Sequence, residues 1–143
     1  MLRGDETGAE LRRRIVRIHA RIMFVITVVA TAVATVGWQD RGPYRVLADQ
    51  PLGYMGLYQA YVLMFLIAVV AFIGAGRWPS RLWNASMLCA HLAPLSAILI
   101  GREVIAATDS ERILYVSLAI HIPLICLETF ALLWKLPVFR LSR

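Results

Sequence analysis

The chain is poor in the residues that most small-protein chemistry uses. Cysteine occurs twice, at Cys89 and Cys126. Both fall inside apolar runs and form no CxxC pair, so spacing supports neither a disulfide framework nor a zinc motif, and both read as small apolar residues. The three histidines, His19, His91 and His121, form no HxxxH or ExxH pair, so no metal centre is expected. A glycine-rich phosphate loop is missing, as is a serine–histidine–aspartate set at useful spacing. Charged residues make up only 17% of the chain, and long stretches carry almost none.

Apolar residues fill the gap. They make up 59% of the 143 residues and give a mean hydropathy of +0.67, whereas soluble domains hold roughly 45–50%. A soluble domain of this length cannot hide so much apolar surface, but a bilayer can solvate it. Four windows satisfy the demand of about 18 or more apolar residues for a spanning helix. They lie at roughly 22–38, 53–76, 82–101 and 113–134. The expected fold is an all-α, integral membrane, four-helix up-down bundle over 22–134, because short connections favour antiparallel neighbours. It follows a tail and a basic amphipathic lead-in over 1–21 and precedes a basic tail over 135–143. A basic run followed by an apolar stretch also resembles a secretory signal; an uncleaved first span is the reading adopted.

The net charge of +6 does not mark a nucleic-acid binder, because the basic residues flank the apolar windows. Arg41, Arg45, Arg102 and Arg112 fall on one side, and the other eleven of the fifteen Lys and Arg fall on the opposite side. The positive-inside rule then places both termini in the cytoplasm and the protein in the cell's inner (plasma) membrane. Trp38, Tyr44, Tyr54, Tyr58 and Tyr115 mark one interface, and Trp78, Trp83 and Trp134 the other. In the lead-in, Leu11, Ile15, Ile18 and Ile22 recur at helical spacing. Arg12, Arg13, Arg14, Arg17 and Arg21 then suit a membrane-surface role on anionic headgroups, with His19 solvated beside them.

Small residues suggest how the spans pack, since close approach matters more in lipid than hydrophobicity. Span one offers Thr27, Ala30, Thr31, Ala34 and Thr35, whose hydroxyls can bond carbonyls one turn back. Span two offers Gly53, Gly56 and Ala60, and span three Ser86, Ala90, Ala93 and Ala97. These ridges are expected to form interior seams; the alternative is that they receive another subunit. Pro94 and Pro123 remove backbone donors inside spans three and four.

Few strongly polar groups enter the spans, where a central charge costs roughly 2.5–3.5 kcal/mol on insertion scales. Glu128 stands out, with His91, His121 and Gln59 in support. Counting a rise of about 1.5 Å per residue from Asn84 and from Trp134 places His91 and Glu128 at one depth and His121 well below them. On that count His91 and Glu128 can meet, His121 extends the line, and the depth mismatch argues against bis-histidine haem. Three roles stay open: a structural hydrogen bond, a ligand or cofactor contact using His91, His121 and Glu128, and proton relay or catalysis by Glu128 and His91. The sequence names no cofactor. The Asn84-Ala85-Ser86 sequon lies at a cytoplasmic span edge and is discounted.

Gly56, Tyr58, Arg77, Pro79, Arg81, Leu82, Ser86 and His91 give spans two and three a resemblance to uncharacterised small four-helix bacterial membrane proteins. The resemblance implies four spans and no activity. The functional expectation is a small non-catalytic subunit or accessory protein of a larger membrane complex, in contact with lipid or pigment. Its partners would be membrane lipids and other membrane-protein subunits, not nucleic acid. The alternative is a small enzyme or proton-coupled carrier for a hydrophobic substrate, using Glu128 and His91. A third possibility is an adaptor acting through Arg12, Arg13 and Arg14.

Overall fold

A computed structural model describes residues 3–107 and 111–134, without the side chains of 3–7, 111 and 113. The expected basic tail over 135–143 and Asp109 of the third connection lie outside the described residues. Five helices and no strand occur among the described residues: α1 (Arg3–Trp38), α2 (Pro51–Arg77), α3 (Arg81–Ile100), α4 (Arg102–Ala107) and α5 (Glu111–Leu133). Four of them, α1, α2, α3 and α5, are long and apolar enough to cross a membrane. No more than 28% of any of the four apolar windows is buried. Outward side chains such as Val25, Leu63, Val70, Leu99 and Val116 are themselves apolar, as a helix surrounded by lipid requires.

The polar segment over residues 3–10 is helical, not a tail, so α1 enters its apolar part without a break. At about 1.5 Å per residue α1 is roughly 54 Å long, more than the roughly 30 Å hydrocarbon core of a bilayer needs. The connections contain structure too: a 3-10 turn over Arg45–Asp49 and the short α4.

The chain divides into two compact units, Ile18–Ile73, and Met1–Arg17 with Gly74–Arg143. Within Ile18–Ile73, α1 and α2 run antiparallel. Arg21 lies over Phe72, Phe24 meets Phe65 at 4.8 Å between ring centroids, and Trp38 stacks on Tyr54 at 4.9 Å. The return between them is tight. Val36 O accepts from Gln39 N and Arg41 N at 3.1 and 3.2 Å, while Asp40 and Gly42 take φ of 58° and 72°. Gly37 lets the Tyr44 backbone lie against it, where a Cβ would collide. On α1, Thr27, Thr31 and Thr35 return their hydroxyls to Met23 O, Thr27 O and Thr31 O at 2.7–2.9 Å. Each threonine is thereby satisfied within its own helix.

In the other unit, α3 packs chiefly on α5. Ser80 caps α3 by accepting from Leu82 N at 3.2 Å, which satisfies one of the donors a helix start leaves open. The indole of Trp83 lies over Gly74, in the space a Cβ would occupy, and its Nε1 donates to Trp78 O at 3.0 Å. Asn84, Met87 and His91 form the buried stripe of α3, and Leu124, Glu128 and Ala131 that of α5.

The small-residue ridges divide in a way composition does not predict. Thr27 and Ala34 of α1 are buried, but Gly53, Gly56 and Ala60 of α2 are exposed, as are Ser86, Ala93 and Ala97 of α3. The small residues that α2 buries are Ala68, Ala71, Gly74 and Ala75, in its second half. Cys89 and Cys126 are free and exposed rather than buried.

Candidate functional site

The polar groups of α3 and α5 meet in two rungs. Asn84 Nδ2 donates to Glu128 Oε2 at 2.7 Å, and both residues are fully buried. Two turns away, the Nδ1 atoms of His91 and His121 approach to 2.6 Å, with ring centroids 4.9 Å apart and planes inclined at 56°. His91 is fully buried and His121 half-buried. The rungs are spaced alike on both helices: His91 follows Asn84 by seven residues on α3, and Glu128 follows His121 by seven on α5. Seven residues are close to two helical turns, about 10 Å, so antiparallel helices carry both pairs on one seam.

This register corrects the depths counted from the sequence. Asn84 is not the edge of span three but is level with Glu128. His91 therefore lies opposite His121, and depth does not argue against a shared histidine site. At 2.6 Å the two Nδ1 atoms serve one another: one carries the proton and donates, and the other accepts. Two nitrogens on opposite sides of one metal, each about 2.0–2.1 Å from it, would stand roughly 4 Å apart. Among the described residues no group of three His, Cys, Asp or Glu is placed to hold a metal ion. Gln59 lies exposed on α2 and joins neither rung.

Between the rungs, the seam holds Met87 on α3 and Leu124 on α5, both buried. Their apolar side chains occupy the intervening turns, so two polar contacts are separated by an oily layer. No protein-family model, no curated protein and no solved structure matches this chain. The reading of the seam therefore rests on its own geometry. Each rung exchanges polar groups that would be costly in hydrocarbon for an interhelical hydrogen bond, and the pair fixes both rotation and register of α3 against α5. Chemically, the His91–His121 contact holds one shareable proton, and the Glu128 carboxyl has an amide donor. Asn84 Oδ1 finds no hydrogen-bond partner among the described residues.

The arginine lead-in is placed differently from its periodicity. Of Leu11, Ile15, Ile18 and Ile22, Ile15 is buried while Ile18 and Ile22 are exposed, and the buried face of α1 is a different one. It runs instead through Arg12, Ile15, Val16, His19, Ala20 and Met23. His19 is thus fully buried rather than solvated. Arg12 is turned inward, with Nε and Nη1 meeting no hydrogen-bond partner among the described residues. Arg14 and Arg21 are exposed, while Arg13 and Arg17 are half-buried. Glu10 pairs with Arg13 and, at 3.2 Å, with Arg14, an i,i+3 and i,i+4 arrangement common on helix surfaces. The sequence did hold a signal for the rungs: the same seven-residue interval in His121/Glu128 and in Asn84/His91, whose helices run in opposite directions.

Proposed function

We propose that the chain is a multi-pass protein of the inner (plasma) membrane, with both termini cytoplasmic. In this reading it serves as a small non-catalytic subunit or accessory protein of a larger membrane complex. The membrane assignment is supported by four long apolar helices whose outward faces are also apolar, and the orientation by the asymmetry of Lys and Arg. The resemblance to small four-helix bacterial membrane proteins is in keeping with the four spans.

One observation carries the accessory role. The small-residue ridges Gly53–Gly56–Ala60 and Ser86–Ala93–Ala97 are exposed, and the space beside Gly56 is open to at least 4 Å. Ridges of this kind let a second helix approach closely in lipid, and among the described residues these stay exposed. The apolar layer of Met87 and Leu124 also favours a clamp over a continuous proton path. Purification in mild detergent followed by native mass spectrometry tests the role. The wild-type chain should be found in a defined assembly with other membrane subunits, and Gly56→Leu or Ala93→Leu should release it while helical content is kept. A free wild-type chain, or an assembly indifferent to both substitutions, refutes the proposal.

The second reading is a proton-coupled carrier or small enzyme for a hydrophobic substrate, using Glu128 and His91. The shared proton of His91 and His121 favours it, because intramembrane ionisable groups are costly and often functional. In liposomes containing a pH-sensitive dye, it requires a proton flux that Glu128→Gln and His91→Ala abolish without lowering the amount of inserted protein.

A further inference from the structure

We propose that the groove between α1 and α2 holds an acyl chain of an anionic phospholipid whose phosphate is bound by Arg21. The inference rests on the membrane reading above and names the lipid class. The groove lies wholly within Ile18–Ile73, with a volume of about 540 Å³. Ala20 and Ala68, both buried, leave depth at its floor, and Phe24, Val25, Val69 and Ile73 form walls without a polar lining atom. An occupant must therefore be apolar along its length.

Its rim is not apolar. Arg21 is exposed, and its guanidinium carbon lies 5.5 Å from the centroid of the Phe72 ring. A cation held over an aromatic face keeps its charge and can still donate to an anion. That arrangement pre-positions a planar fork suited to a phosphate. No counter-charge comes from the walls: α1 has no Asp or Glu after Glu10, and α2 has none at all. Arg21 also sits at the start of the apolar part of α1, the level at which headgroups begin. Of the groove's lining only Arg21 offers a phosphate a charge, whereas a phospholipid satisfies the rim and fills the groove together. A zwitterionic phospholipid offers the same phosphate, but its own ammonium offsets that charge, so the anionic lipid is held more tightly.

The test uses the full chain in mild detergent, equilibrated with an equimolar mixture of palmitoyl-oleoyl phosphatidylglycerol and phosphatidylcholine, with bound lipid read by native mass spectrometry. Both variants fall on exposed positions. Wild type should retain phosphatidylglycerol over phosphatidylcholine by roughly ten-fold, a ratio that about 1.4 kcal/mol of headgroup preference would produce. Arg21→Gln should bring the ratio close to one while lipid is still bound. Val25→Trp, which fills the groove, should lower retention of both lipids. A wild-type ratio near one, a preference surviving Arg21→Gln, or retention unchanged by Val25→Trp overturns the proposal. Carbonate extraction of the same membranes reads insertion separately: a chain released by carbonate defeats the membrane reading, and a chain that stays inserted without lipid selectivity defeats only this inference.

Discussion

Replacing Asn84 by alanine removes one half of the rung it forms with Glu128, and the cost can be bounded from the geometry. Both residues are fully buried and the contact is short, at 2.7 Å. Interhelical hydrogen bonds in membranes average about 0.6 kcal/mol and reach about 1.7, while bonds to charged groups in water-soluble proteins give about 1.5–3. A short, fully buried contact to a carboxyl belongs where the two ranges meet, about 1.5 kcal/mol. Glu128 is not held by Asn84 alone, so Glu128→Ala by itself would overstate the pair. A double-mutant cycle with Asn84→Ala and Glu128→Ala cancels the other interactions. Unfolding in mixed micelles titrated with sodium dodecyl sulfate, followed by the fluorescence of the four tryptophans, supplies the four free energies. A parallel cycle between Asn84 and His121, which sit on different rungs about 10 Å apart, should couple by less than about 0.5 kcal/mol. A coupling for Asn84 and Glu128 no larger than that of the control refutes the register on which the site is built.

Other consequences can be checked with the same preparations. Gly74→Ala drives a methyl into the Trp83 ring, and should destabilise the chain by about 1–3 kcal/mol with a shifted Trp emission; an unshifted spectrum and unchanged stability would contradict that packing. Ser80→Ala removes the cap on Leu82 N and should cost about 1 kcal/mol, with Ser80→Asp restoring most of it. Cys89 and Cys126 are free and exposed on α3 and α5. A membrane-soluble maleimide should label both in intact vesicles and a charged, impermeant one neither, and labelling by the charged reagent would place those faces in water. Green fluorescent protein fused to either terminus should fluoresce if both ends are cytoplasmic, whereas a dark fusion that is nonetheless made would reverse the orientation.

The long helices were legible because length and apolarity alone define them. The early start of α1 was not, since residues 3–10 are polar, yet polar residues extend a helix wherever nothing breaks it. Burial was less legible for a related reason. Helices such as α2 are apolar on every side, so no amphipathic period separates an inward alanine from an outward one. Ala60 and Ala68 look alike in sequence, but only Ala68 is buried. On α1 the arginines all look alike as surface residues, yet Arg12 occupies the buried face. For the site, Glu128, His91 and His121 stood out as polar groups in apolar surroundings. Their pairing did not, because hydropathy places the end of span three at Asn84, which is in fact a partner of Glu128. An error of a few residues at a helix edge moves a side chain by a turn, enough to exchange one histidine's neighbour for another.

The most direct measurement is magnetic resonance of the ¹⁵N-histidine-labelled chain in lipid bilayers, read for a coupling across a hydrogen bond between ring nitrogens. The account predicts one such coupling, between Nδ1 of His91 and Nδ1 of His121, lost in either single alanine variant. Imidazole signals that show no mutual coupling, with both rings exchanging freely with bulk water, would contradict it.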